Sequence, residues 1–84
     1  LEDVATELIE LHKQLGEDRA AEHRARSQFW NQCPPDISVA ARDREVEMAT
    51  ADLHAIVLTD EANLRALQAE YDYLTWKVEH GYGG

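Results

Sequence analysis

"NQCPPDIS", residues 31–38, holds both prolines and the lone cysteine of an 84-residue chain. Proline cannot continue a helix interior, and it pushes the residue before it into extended backbone. Cys33 and Pro34 therefore leave one helix, and Pro35-Asp36 leads into another, with Asp36 or Ser38 as N-cap. The fold depends on this stretch because the segments on either side of it are helical in pattern.

Before the turn, Val4, Leu8, Leu11 and Leu15 are spaced four, three and four apart, and the same register runs on through Asp18 and Glu22 to Ala25 and Phe29. That spacing puts one stripe on one face of an α-helix. Glu2 and Asp3 occupy the first turn, where the helix dipole favours negative charge. Glu22 and Arg26 form an i,i+4 pair in the favourable order. Gly16 weakens this helix by about 1 kcal/mol relative to Ala.

After the turn, the apolar positions read Val46, Ala49, Leu53, Val57, then Leu64, Leu67, Tyr71, Leu74 and Val78. The later steps form a heptad seam. Around Val57 the register shifts, with Ile56 as the alternative seam residue. Glu61 and Arg65 make another i,i+4 pair. Gly81 is a natural residue to end a helix, and Tyr82 can supply the accompanying apolar contact.

The pattern predicts an all-α fold of one domain over residues 1–84: an antiparallel, coiled-coil-like helical hairpin. The first helix covers about 2–32, the turn 33–37, the second helix about 38–80, and a flexible tail 81–84. The first helix would be roughly 46 Å long and the second roughly 65 Å. About twelve residues of the second would overhang on that count, among them Tyr71, Tyr73, Leu74, Trp76 and Val78. One solution keeps the second helix continuous and covers the overhang with a second copy or another protein. The other breaks the helix near Thr59, where Thr59-Asp60-Glu61 resembles an N-cap signature, and gives three helices. The absence of Gly, Pro or spare loop residues there favours the continuous helix.

Charge narrows the functional classes. The net charge is −9, from seventeen acidic and eight basic side chains. Nucleic-acid phosphates and anionic membranes need clustered Lys and Arg, so both are disfavoured as partners. The excess is spread out: eight acids against five bases in residues 1–42, and nine against three in 43–84. No apolar run approaches the ~20 residues that span a bilayer, and no signal-peptide pattern opens the chain. One cysteine makes no internal disulfide. These features predict a soluble, cytoplasmic protein.

Several motifs bear on chemistry. Cys33 and Pro34 match the first two positions of the Cys-Pro-X-Cys zinc-hook turn, which joins two antiparallel helices in the coiled coils that carry it. The resemblance implies a zinc ion shared between two hairpin tips. Asp36 stands where the second cysteine would be, which removes the preferred soft ligand. An exposed Cys33 could instead form an intermolecular disulfide. Asp18 and Glu22, with His23 adjacent, lie in the seam, where buried carboxylates need a partner, a metal or water. Glu-x-x-His, the carboxylate-bridged bundle motif, is absent, and His12, His23, His54 and His80 are scattered. Glu7 and Glu10 match the first half of the Glu-x-x-Glu…Glu-x-x-Asp pattern of the all-α nucleotide pyrophosphohydrolases. Glu47 and Asp52, five apart, miss the second half, so that assignment is rejected. No phosphate loop or nucleophile motif is present. Gly83-Gly84 reads as a flexible end.

The aromatics remain. Tyr73 and Trp76 fall on a different stripe from Tyr71, Leu74 and Val78, so the apolar surface is too wide for a two-helix seam. Tyr and Trp dominate interface hot spots. The sequence therefore predicts a non-catalytic interaction or structural module without cofactor or metal. Its interface would be Leu67, Tyr71, Tyr73, Leu74, Trp76 and Val78, with Trp30 at the turn end, and its partner a second copy in a homodimer or another protein. Two alternatives are a small acidic inhibitor occupying a basic surface, as a DNA mimic would, and a metal-bridged hairpin or metal-dependent helical enzyme using Asp18, Glu22, His23 or Cys33.

Overall fold

The computed structural model describes residues 1–81. Three helices are arranged in chain order: α1, Glu2–Gln32; α2, Val39–Ala49; and α3, Ala51–Glu79. About 88% of the described residues are helical, and no strand occurs among them. The all-α helical hairpin is the architecture observed. It is a rod with extents of 66 × 18 × 15 Å.

The turn forms as the prolines dictate. Cys33 is extended, with φ −67° and ψ 145°, as a residue before proline must be. The Ile37 N–H donates to Pro34 O across Pro35-Asp36 at 3.5 Å. Ser38 caps α2, its hydroxyl oxygen accepting from the Ala41 N–H at 3.1 Å. Arg42 then fastens α2 to the turn. Its Nη2 donates to Pro34 O at 3.1 Å, and its guanidinium lies 4.9 Å from the Trp30 ring centroid, a cation–π distance.

The second arm is interrupted at Thr50, and it runs unbroken through Thr59, which was the predicted alternative break. Thr59 Oγ1 only donates back to Ala55 O within α3. Thr50 has φ −110° and ψ 12°. Its N–H still reaches Val46 O and its carbonyl still accepts from His54 N–H, each at 3.0 Å. α2 and α3 are thus one arm with a local bend. The Thr50 hydroxyl donates to Val46 O at 2.8 Å. Such i−4 back-bonding by a buried threonine pulls on the carbonyl ladder and bends helices.

Thr50, only 1% exposed, also corrects the seam. The apolar pattern placed Ala49 there, but Ala49 is exposed. With Thr50 and Asp60 included, the seam runs Val46, Thr50, Leu53, Val57, Asp60, Leu64, Leu67, Tyr71 and Leu74, in unbroken heptad steps. The drift through Ile56 does not occur: Val57 is 4% exposed and Ile56 46%. On α1, Val4, Leu8, Leu11, Leu15, Asp18, Glu22 and Ala25 are buried or half-buried, as the spacing predicted, whereas Phe29, the last residue of that stripe, is 38% exposed.

The register shows in the polar pairs. Glu22 meets His54 at 3.0 Å, and Arg19 meets Glu61 at 3.3 Å. Farther along, Leu11 shares a shallow groove with Leu67. Carried on, this register sets Leu74 beside Val4, and both are half-buried. The start of α1 therefore covers the aromatic end of α3. The extra length of the second arm lies at the turn end, where the loop and the first turns of α2 extend past α1. The expected twelve-residue aromatic overhang is absent because the excess length of the second arm falls at the turn end, where the loop spans it.

α3 ends at His80, and Gly81 comes next with φ +73°, its N–H donating to Val78 O at 3.2 Å. This is the left-handed residue that glycine favours. The predicted Tyr82 contact and the Gly83-Gly84 tail lie outside the described residues.

Candidate functional site

The seam's midpoint is polar. Asp18 of α1 faces Asp60 of α3, both at positions where a heptad wants an apolar residue. Gln14 Nε2 donates to the two Asp18 carboxylate oxygens at 3.1 and 3.2 Å. The Asp60 Oδ2 is shut off from solvent and accepts no hydrogen bond. The Asp60 pKa is raised above 3.8, first because a hydrogen bond with the Asp18 carboxyl favours the protonated form, then through desolvation and repulsion from Asp18. The Arg19–Glu61 pair lies at the same level, each partner next in sequence to one of the aspartates, and the Glu22–His54 pair lies about a turn nearer the hairpin's turn. His54 Nδ1 reaches Glu22 Oε1 at 3.0 Å, an ion pair when the imidazole is protonated.

This cluster gathers Asp18, Glu22 and His54 as seam chemistry, and leaves His23 outside it. Among the described residues, no three His, Cys, Asp or Glu side chains are arranged to hold a metal ion. Glu7 borders the Leu11–Leu67 groove opposite Glu70, and Glu10 is exposed. Cys33 is a free, half-buried thiol. It lines an open groove of about 540 Å3 with Phe29, Pro34, Ile37 and Ala49. Pro34, Pro35 and Asp36 are exposed on the turn.

The predicted interface residues divide in two. Leu67, Tyr71 and Leu74 are half-buried on the seam facing α1. Trp30 is half-buried beneath Arg42. Tyr73, Trp76 and Val78 are 58%, 47% and 58% exposed. Lys77 Nζ lies 5.7 Å from the Tyr73 ring centroid. Trp76 stacks on His80, with ring centroids 4.4 Å apart, and the His80 Nδ1–H donates to Trp76 O at 2.8 Å. The aromatic end is thus ordered locally while presenting wide apolar faces.

A larger apolar surface escaped the sequence reading. Met48 and Leu58, 71% and 51% exposed, continue from Trp76 back along the arm. Ala51, Ala55, Ala62 and Ala69 are exposed between them. Spacing by seven on the face opposite the seam was the available signal. Alanine hides it, because alanines in a helix ordinarily read as propensity rather than as surface.

No protein-family model, curated protein or solved structure matches this chain. No helix is long and apolar enough to cross a membrane among the described residues.

Proposed function

We propose that this protein is a non-catalytic helical-hairpin interaction module. It associates through the outward face of its second arm, with Tyr73 and Trp76 as the anchors at one end. What supports the reading is the apolar character of that face. On α1, the positions opposite the seam are Thr6, Lys13, Ala20 and Ser27, flanked on one side by Glu10, Glu17 and Arg24 and on the other by Ile9, Gly16 and His23, a mainly water-facing surface with one exposed large apolar side chain, Ile9. On the second arm, the equivalent positions are Met48, Ala55, Ala62, Ala69 and Trp76. An arm hydrophobic on two opposed faces is built to lie between two partners. The seam carboxylates serve registration in this reading, as buried polar groups do in coiled coils. The −9 charge keeps the rod soluble and steers it toward basic surfaces.

A photo-crosslinking residue at Ala69, with Ser27 on the polar face of α1 as control, tests this in cells that express the protein. Protein adducts at position 69 and none at 27 are expected. Equal labelling at both positions, or none at either, would overturn the reading.

A further inference from the structure

The outward face of the second arm carries a pattern that is symmetric about its centre. Met48, Ala55, Ala62, Ala69 and Trp76 recur every seventh residue, with Ala62 in the middle and a large side chain at each end. Because the seam keeps an unbroken heptad, the positions opposite it also stay on one line as the hairpin supercoils. Resting on the interaction-module reading, the geometry points to the occupant of this face: a second copy of the chain, laid antiparallel, with the two-fold axis at Ala62.

In that arrangement Ala62 meets Ala62 of the other copy, Ala55 meets Ala69, and Met48 meets Trp76. Alanines at the central three levels let the helix axes approach to about 8 Å, the close end of the usual range. A methionine sulfur against an indole is a favourable contact, and it closes the seam at both ends. The interface is isologous, so one patch satisfies both copies.

The ends of the stripe set the direction, and the flanking charges are compatible with it. The flanking positions are Ala51, Leu58, Arg65 and Asp72 on one side, and Asp52, Thr59, Ala66 and Tyr73 on the other. Antiparallel about Ala62, Asp72 falls opposite Ala51, Arg65 opposite Leu58, and Asp52 opposite Tyr73. Each charge meets an uncharged side chain: the Arg65 stem covers Leu58, and the Tyr73 hydroxyl is placed to donate to Asp52. A parallel in-register pair would set each flank against the opposite flank, so its charges also meet uncharged side chains, but it would put Trp76 against Trp76 and Met48 against Met48 and lose the paired methionine–indole contact.

The surface area agrees. The chain exposes 6236 Å2, whereas a compact protein of 9.5 kDa exposes about 5,000 Å2. The excess exceeds the ~800 Å2 that each partner contributes to a standard interface. Among the described residues, only Leu8, Leu15, Val46 and Val57 are buried apolar residues, a thin core for a rod of this length.

Single cysteines test the arrangement in a Cys33→Ser background of the purified full chain. A residue on the axis faces its own copy within disulfide reach, so Ala62→Cys should crosslink to a dimer on mild oxidation. Ala55→Cys or Ala69→Cys alone should not, but an equimolar mixture of the two should. Ala62→Glu replaces an exposed alanine of the hairpin, so helicity should be retained while light scattering shows one chain rather than two. The weakening should be on the order of 100-fold, since the charge is buried unpaired only in the dimer. Crosslinking of all three single variants would mean a parallel pair and overturn the inference. A dimer unaffected by Ala62→Glu would place the interface elsewhere and also overturn it. A wild-type monomer at all concentrations would overturn self-association, whereas crosslinks from position 69 to a different protein would leave the interaction-module reading standing.

Discussion

At the scale of single residues, Asp60 is the costly position. It occupies a seam site between Val57 and Leu64, faces Asp18, and leaves Oδ2 buried without a hydrogen bond. Its pKa lies above 3.8, led by the hydrogen bond to Asp18. A carboxyl whose folded-state pKa is raised binds its proton more tightly when folded. Its contribution to stability is full below about pH 3.8 and is lost as pH rises through the raised value. Asp60→Asn cannot titrate, and its amide can donate to the Asp18 carboxylate. Denaturation curves across pH 3–7 should show the variant gaining on the wild type as pH rises; parallel curves would sink this account. Asp60→Leu completes the apolar heptad and should raise Tm at neutral pH by roughly 5–10 °C. Asp18 and Glu22 were legible as seam residues because α1 keeps a simple four-three spacing. Asp60 was not, because a search for apolar residues skips an acid; the register looked broken around Val57 because Ala49 was read in the place that Thr50 occupies.

At the scale of elements, the same rule explains the misplacement of the bend. Choosing Ala49 over Thr50 favoured hydrophobicity over period, and the period decided the packing. The Thr50 hydroxyl is satisfied by Val46 O inside its own helix, which makes a buried polar residue tolerable in the seam and bends the arm there. Thr50→Val preserves the shape and removes that bond, so hydrogen exchange of the Thr50–His54 amides should slow as the ladder straightens. α1 carries an opposite weakness. A Cβ built on Gly16 meets nothing within 4 Å, so Gly16→Ala should gain the full helix-propensity difference of about 1 kcal/mol. Thermal melts should rise by roughly 4–8 °C. No change would mean that α1 frays independently of the unfolding that the melt reports. At the turn, Arg42 joins Pro34 O to the Trp30 face, a link invisible to sequence periodicity because it spans three elements. The prolines alone were enough to place the turn, and Ser38 was enough to place the start of α2.

The whole molecule is defined by its length. A compact chain of 84 residues has a radius of gyration of about 12 Å; this rod has 19.0 Å. The hairpin was readable from two periodic segments and one proline turn. Which end would overhang was not, because that depends on how much chain the loop consumes. The shape makes the mode of association measurable by small-angle scattering. A pair joined along the outward faces overlaps for most of its length, because Ala62 lies only a few residues from the middle of the second arm. Such a dimer should extend to about 75 Å, little beyond the 66 Å of one chain. A pair joined tip to tip through the aromatic ends alone would approach about 130 Å. Ionic strength separates apolar pairing from binding driven by the acidic surface. Two chains of −9 repel each other, so added salt should tighten a side-by-side dimer or leave it unchanged, while capture of a basic partner should weaken steeply. A maximum dimension above about 100 Å would place the contact at the tips. A dimer that dissolves in salt would show that charge, rather than the Met48–Trp76 stripe, holds the copies together.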